Sequence, residues 1–545
     1  MTDSVDWYRR LLWIGLAWVL IQIPFASGAF RIDEPYHLQA VQQLLKSPTD
    51  PYGFYINWHG TPEWAFHTYA SPPLVPAWLA LWSTLFPWNE FSLHLAMLPF
   101  SLAGLLVFGS LAKHFKVDAE VAMALLACSP VFFLTSQVVM PDIAMLCMFL
   151  VAVTGARSYQ VSGSLPVILI SCVAGFCCPL AKYNGAVLVP VLICLGVARP
   201  RRMGMLCIVI APVLSLLLWG GFTWAKYGAV HFLAMSAYQK NPEMSAHPIV
   251  LTVGVLAVTG LGGLPISLLA FLSSSHKRSR VLIGIGAVVL VGSVWLAIWL
   301  GYGLSSVLLF SISVTVAIYV VGLTILQVWQ SLRLFEWSFM PLVTWILVGF
   351  AFQFGLMFAA TRYILFLAPP LILLVLRLSA WVPRKSTLAI TFAMNLLFTV
   401  ALAIGDRKIA SVYRDVVKDE IRPSLENQKG RFYFAGHWGF QYYADRVGGE
   451  LIDLLNPPVL RAGDVVVVAK MPWPGMLEPK LSPGLEFETA TRAVESSWFI
   501  RTLSCEAGAS FYGHAMAGCE RPTFLPFGFS SGPVETFLMY RIMKK

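Results

Sequence analysis

From Leu11 to about Ile404 the chain alternates between apolar runs near 20 residues long and short polar breaks, and then the alternation stops. A run of that length matches the roughly 30 Å hydrocarbon core of a bilayer at about 1.5 Å of helical rise per residue. The pattern predicts membrane-spanning helices at about 11–30, 91–112, 119–137, 143–160, 164–181, 184–198, 204–224, 249–272, 281–300, 304–329, 338–359, 363–380 and 387–404. The apolar run from Leu74 to Phe86 is too short to span and is bounded by Pro72-Pro73 and Pro87, so it predicts an interfacial or re-entrant helix. Within His37 to Leu45, the positions Leu38, Val41, Leu44 and Leu45 recur at helical spacing, as in a helix lying along the membrane surface. Beyond residue 405, strands are expected over Arg431 to Ala435, Asp464 to Lys470 and Thr536 to Ile542. The fold class is therefore a polytopic α-helical membrane protein of about 13 transmembrane helices, with a small extracytoplasmic α/β domain. Its membrane domain covers 1–405, with a first outer loop at 31–90, and the C-terminal domain covers 406–545.

Composition agrees with this: 57% of residues are hydrophobic and 12% charged, against roughly a quarter charged in soluble domains. The net charge of +10 would suit a nucleic-acid partner, but its distribution argues against one. Arg9-Arg10, Lys113 to Lys116, Arg199 to Arg202, His276 to Arg280 and Arg384-Lys385 are short clusters between apolar runs, the pattern that the positive-inside rule assigns to the cytoplasm. Walking sides outward from Arg9-Arg10 puts Asp33-Glu34, Asp142, Lys182, Arg362-Tyr363 and the C-terminal domain together on the outer side of the plasma (bacterial inner) membrane. Ala26-Ser27-Gly28-Ala29 runs straight into the acidic pair, so the first helix is read as a retained signal anchor. Seven of the nine cysteines lie in apolar runs; Cys505 and Cys519 fall in the tail, where a disulfide is open to them if the tail is extracytoplasmic.

Carboxylates at helix ends escape the cost of hydrocarbon while staying against protein and lipid, where their basicity can be tuned. The stretches Arg31-Ile-Asp-Glu-Pro-Tyr-His-Leu-Gln, Ser71-Pro-Pro-Leu-Val-Pro-Ala-Trp, Ser129-Pro-Val-Phe-Phe and Met140-Pro-Asp-Ile-Ala occur in that order. Together they resemble the N-terminal half of the C-type membrane glycosyltransferases, chiefly the branch of protein O-mannosyltransferases and the lipid A aminoarabinose transferase. The resemblance covers residues 10 to 200. It implies an inverting transfer of a sugar, hexosyl or pentosyl, from a polyprenyl-phosphate carrier to a protein, lipid or glycan acceptor, with membrane lipids as surroundings. It requires no nucleotide site, and the sequence has no Gly-rich phosphate cradle.

On that resemblance Asp33 is the expected base and Asp142 the second catalytic acid group; Glu34, Tyr36, Lys182, Arg362 and Tyr363 are expected to bind substrate. Each has a plainer reading beside it. Asp33 also marks a helix end, and Asp142 also fits a first-turn position favoured by the helix dipole. Lys182 also fits a snorkelling lysine, and Arg362 with Tyr363 an interfacial anchor. Two adjacent residues in an extended segment point apart, so one of Asp33 and Glu34 is expected to face the substrate. No cofactor is required, although a divalent metal is open to His37, His59, Glu63 and His67, with Glu63 and His67 at i, i+4 spacing. Trp58, Trp64, Tyr69, Tyr433, Trp438, Tyr442 and Tyr443 offer faces for sugars or for the membrane interface. The competing functions are a transporter or flippase of lipid-linked sugars and a non-catalytic envelope assembly protein.

Overall fold

The computed structural model describes residues 2–197, 202–240, 246–263, 280–333, 339–378, 385–426, 430–472, 486–513, 519 and 521–544. Among them, five helices are long and apolar enough to cross a membrane: Glu90–His114, Pro141–Ser162, Met203–Tyr227, Leu304–Leu326 and Lys385–Glu426. Shorter apolar helices, among them Leu165–Ala181 and Met340–Gln353, pack between them. The helical part is that of an integral, multi-pass membrane protein.

Several expected spans are broken rather than continuous. The stretch 119–137 forms two helices, Ala119–Ala127 and Pro130–Thr135. Pro130 lacks an N–H and pushes Ser129 into an extended conformation, which stops the first helix. The stretch 184–198 opens as a 3₁₀ turn, Tyr183–Val187, before the helix Leu188–Val197. Residues 363–380 likewise divide into the 3₁₀ turn Thr361–Phe366 and the helix Ala368–Leu378. The expected span 249–272 begins as Pro248–Val258 and continues as a π-helical turn, Thr259–Gly263, and 264–272 lie outside the described residues. The first helix runs Thr2–Gln22 and yields to a short turn holding Pro24. Leu74–Leu85 is a 12-residue helix, as the bounding prolines suggested, and it packs on the helix Glu34–Lys46. That second helix buries Leu38, Val41 and Leu44 against the protein.

At the C-terminal end, five strands form one mixed sheet in the order Glu450–Leu451, Phe432–Ala435, Val465–Ala469, Glu535–Lys544, Glu486–Val494. The first three are parallel, with Phe434 opposite Val467, and the last two pairings are antiparallel, with Phe537 opposite Ala469. Glu486–Val494 is an edge strand almost wholly exposed, so no apolar alternation announced it. The helix Lys385–Val416 passes through residues 405 and 406 without a break. It joins the membrane helices to the sheet as a rigid strut, where the sequence suggested a boundary between domains. Cys505 and Cys519 form a disulfide.

One buried ion pair fastens this strut to the turn before the helix Glu34–Lys46. Arg31 lies 3.0 Å from Asp406, both almost fully buried, and donates to the Gln137 carbonyl at 3.2 Å. Asp406 also accepts from Thr502 at 2.6 Å and Tyr512 at 2.9 Å. Removing one member of such a pair strands the other, which costs about 3–5 kcal/mol. Asp406→Ala is therefore expected to lower the melting temperature of the detergent-solubilised protein markedly. A melt unchanged from wild type would show that this pair does not hold the two parts together.

Candidate active site

The turn before the second helix sets the site. Ile32 has φ 46°, a left-handed conformation disfavoured for a β-branched residue. The turn leaves Asp33 as the cap residue and Glu34 as the first residue of the helix, with Pro35 in the first turn, where its missing N–H costs nothing. The acidic pair is thus a helix start and not the extended segment that the sequence suggested, and its two carboxylates divide sharply.

Glu34 is fully buried. Its Oε2 accepts from the Arg31 N–H at 2.7 Å, and its Oε1 from the Val139 N–H and His94 Nε2, each at 2.7 Å. The other nitrogen of His94 lies 2.8 Å from the Ala26 carbonyl, so each ring nitrogen faces an oxygen. Burial alone would push the Glu34 carboxyl up; His94, Arg31 and the Val139 N–H outweigh it and hold the group below its ordinary range. No face of Glu34 is open to a ligand. His94 and Arg31 were not singled out in the sequence, yet an ionisable residue such as His94 within an apolar run is a recognisable signal.

Asp33 is partly exposed and lies 2.6 Å from the Arg362 guanidinium. Arg362 stands in the Thr361–Phe366 turn, which is tied to the C-terminal region by the Thr361 N–H donating to the Phe511 carbonyl at 3.0 Å. The same guanidinium touches the Met140 sulfur at 3.1 Å and the Tyr363 hydroxyl at 3.4 Å. Two residues beyond Met140, Asp142 occupies the first turn of Pro141–Ser162 at 3% exposure. It forms an ion pair of 2.5 Å with Lys182, which ends the helix Leu165–Ala181 in extended conformation. The Lys182 ammonium sits 4.7 Å from the centre of the Tyr363 ring. Asp33, Asp142, Lys182, Arg362 and Tyr363 are therefore brought together as two carboxylate–cation pairs whose cations both lie within about 5 Å of one aromatic ring.

His37 joins them from the next turn of the helix, with Nδ1 2.8 Å from the Tyr69 hydroxyl. Burial lowers it to about 4, against the pull of Asp33, so the ring is neutral at neutral pH. Tyr36 turns away: its hydroxyl donates to the Thr68 carbonyl and accepts from the Ala70 N–H, and its ring packs on Trp58 and Tyr69. Trp58 in turn lies 5.2 Å from the His437 ring, so the Gly436–Tyr443 segment packs over the stretch that holds Trp58. A Cβ at Gly439 would meet the Phe30 carbonyl at 2.2 Å, which explains a glycine at this close approach.

The metal candidates do not assemble. Glu63 belongs to the strand Pro62–Trp64 and His67 to the short helix Ala65–Thr68, so the expected shared helix face does not exist. His59 lies 3.2 Å from Glu63, whose same oxygen accepts from Thr68, and the other His59 nitrogen meets Tyr238. Among the described residues no three His, Cys, Asp or Glu side chains converge. This donor set does not fit a divalent cation, and no step is assigned to one. A cleft of 330 Å³ lined by Lys408, Asp415, Asp419, Glu420 and Glu495 lies at the strut's far end and holds none of the paired residues.

No family profile and no curated protein matches the chain. Solved structures similar to it are ArnT from Cupriavidus metallidurans bound to undecaprenyl phosphate and an oligosaccharyltransferase of Archaeoglobus fulgidus in the apo form. The first is 13% identical with TM-score 0.42, covering 91% of this chain and 97% of that one. The second is 10% identical with TM-score 0.43, covering 81% of this chain and 64% of that one. ArnT in the apo state aligns at 13% identity and TM-score 0.39, covering 86% and 93%. These neighbours are C-type membrane glycosyltransferases, the family that the N-terminal motifs resemble. With TM-scores below 0.5 they are distant likenesses of chain path, and the function is argued from the site's own geometry.

Burial lowers His437 to about 4 as it does His37. The unfolded chain takes up these protons near pH 6.5 and the folded one only near 4, so their stabilisation is complete above 6.5 and is lost as pH falls toward 4. The melting temperature is expected to drop between pH 7.5 and 5, and to drop less in His437→Gln. An equal drop in both proteins would refute this origin.

Proposed function

We propose that this chain is an inverting glycosyltransferase that moves a sugar from a polyprenyl-phosphate carrier to a hydroxyl or amine on a protein, lipid or glycan acceptor at the outer face of the membrane. The observation that carries this reading is the pair of carboxylate–cation contacts, Asp33–Arg362 and Asp142–Lys182, flanking Tyr363 at a helix-end site. Transfer to an acceptor needs a base for the incoming nucleophile and cations for the departing phosphate, and this site holds both.

In the proposed step, Asp33 takes the acceptor proton as the acceptor atom bonds to the sugar anomeric carbon. The bond from that carbon to the phosphate oxygen breaks on the opposite face, and the lipid phosphate leaves with the electron pair. Arg362, whose fork suits a phosphate, and Lys182 receive that charge. Asp142 keeps Lys182 aimed and helps hold the acceptor, while Tyr363 separates the two cations and offers a ring to the sugar or carrier. Glu34 serves through position, since it is fully buried and both its oxygens are engaged within the protein.

The test is turnover of an undecaprenyl-phosphate sugar by purified protein. Asp33→Asn is expected to lower kcat by about 10²–10⁴-fold, the usual worth of a positioned general base, while carrier binding persists. Arg362→Ala is expected to weaken undecaprenyl phosphate binding. Full turnover by Asp33→Asn would remove the base assignment.

A further inference from the structure

One ring in the site belongs to neither ion pair. His37 lies one helical turn beyond Asp33, and residues four apart on a helix share a face; its N–H donates to the Asp33 carbonyl at 3.1 Å. The Tyr69 hydroxyl occupies Nδ1, and Tyr69 is itself buried at 1% exposure between the rings of Tyr36 and Tyr52. The imidazole is thereby fixed in place. Among the described residues its Nε2 has no protein partner, and this atom is not among those sealed inside the fold. The charges acting on the ring are those of Asp33, Arg362, Asp142 and Lys182, which sets it amid the two pairs.

We propose that His37 is a further catalytic residue of the transfer, its Nε2 hydrogen-bonding an acceptor's nucleophilic hydroxyl and holding it against Asp33. This rests on the glycosyltransferase reading above. With the Tyr69 hydroxyl donating to Nδ1, Nε2 carries the hydrogen and donates to the hydroxyl oxygen's second lone pair, leaving the other free to attack. The acceptor proton still goes to Asp33, the acceptor atom bonds to the anomeric carbon, and the phosphate leaves with the electrons of the broken bond. His37 begins and ends neutral. A neutral donor suits this place, because another cation would compete with Arg362 and Lys182 for the carboxylates and for the phosphate.

Two amide substitutions separate the ring's two nitrogens: the Gln amide nitrogen falls near Nε2, and the Asn amide nitrogen near Nδ1. His37→Gln, His37→Asn and His37→Ala are compared with wild type for restoration of surface glycan in a deletion strain of the native host. The purified proteins are compared for undecaprenyl phosphate binding and for thermal melting. Expected is product within about fivefold of wild type for His37→Gln and a loss beyond about tenfold for His37→Asn and His37→Ala, at the low end of general acid–base effects. Undecaprenyl phosphate affinity is expected to stay within about twofold throughout, since the lost contact is to the acceptor. Asn rescuing as well as or better than Gln would assign the residue to its bond with Tyr69 and overturn the proposal. So would full product from His37→Ala, or carrier affinity falling in step with product. A wild type that neither transfers nor binds the carrier would bring down the glycosyltransferase reading and this role with it. An active wild type with the variants out of order would bring down the His37 role alone.

Discussion

The buried carboxylate of Glu34 is the constraint on which the site depends. It is the immediate neighbour of Asp33 in the chain, and through the Val139 N–H it grips the backbone three residues ahead of Asp142. Two helix starts that are far apart in sequence are thus pinned to one pair of oxygens, and His94 closes the remaining side. Burying a carboxylate is costly unless it is hydrogen-bonded, and here two backbone N–H groups and the His94 ring meet its oxygens. The spacing between the two cation-paired carboxylates, Asp33 and Asp142, follows from this grip. The strained φ of Ile32 is then intelligible as the turn needed to send Glu34 inward while Asp33 stays at the mouth.

The C-terminal region extends the same logic. Arg31, whose N–H serves Glu34, turns its side chain to Asp406 on the strut, and the Phe30 N–H donates to Tyr443 of the covering helix Trp438–Arg446. Phe511 fixes the turn that carries Arg362. Each of these contacts joins segments more than a hundred residues apart to the few residues around Asp33. The C-terminal region is therefore part of the scaffold of the site.

Much of this was legible from residue pattern because the bilayer imposes its own ruler: apolar runs of fixed length, basic clusters between them, and charged residues only where helices end. That logic located Asp33, Asp142, Lys182, Arg362 and Tyr363, which meet in space although they lie in four separate segments. It did not reveal that Pro130 splits a span, since a buried broken helix has the same composition as a whole one. Nor did it separate Asp33 from Glu34, because the deciding partners, His94 and the Val139 N–H, lie some 60 and 105 residues away. The edge strand Glu486–Val494 escaped for the opposite reason, having hydrogen-bonded partners but no buried face.

Asp33, Arg362, Asp142 and Lys182 add to a formal charge of zero, and each cation already has its anion in contact. An anionic ligand arriving here finds no spare positive charge to bind. It gains attraction only by drawing a cation away from its carboxylate, so that occupancy is an exchange of partners. The event that draws Arg362 to a ligand is then the same event that uncovers the Asp33 carboxylate, which stays covered until then.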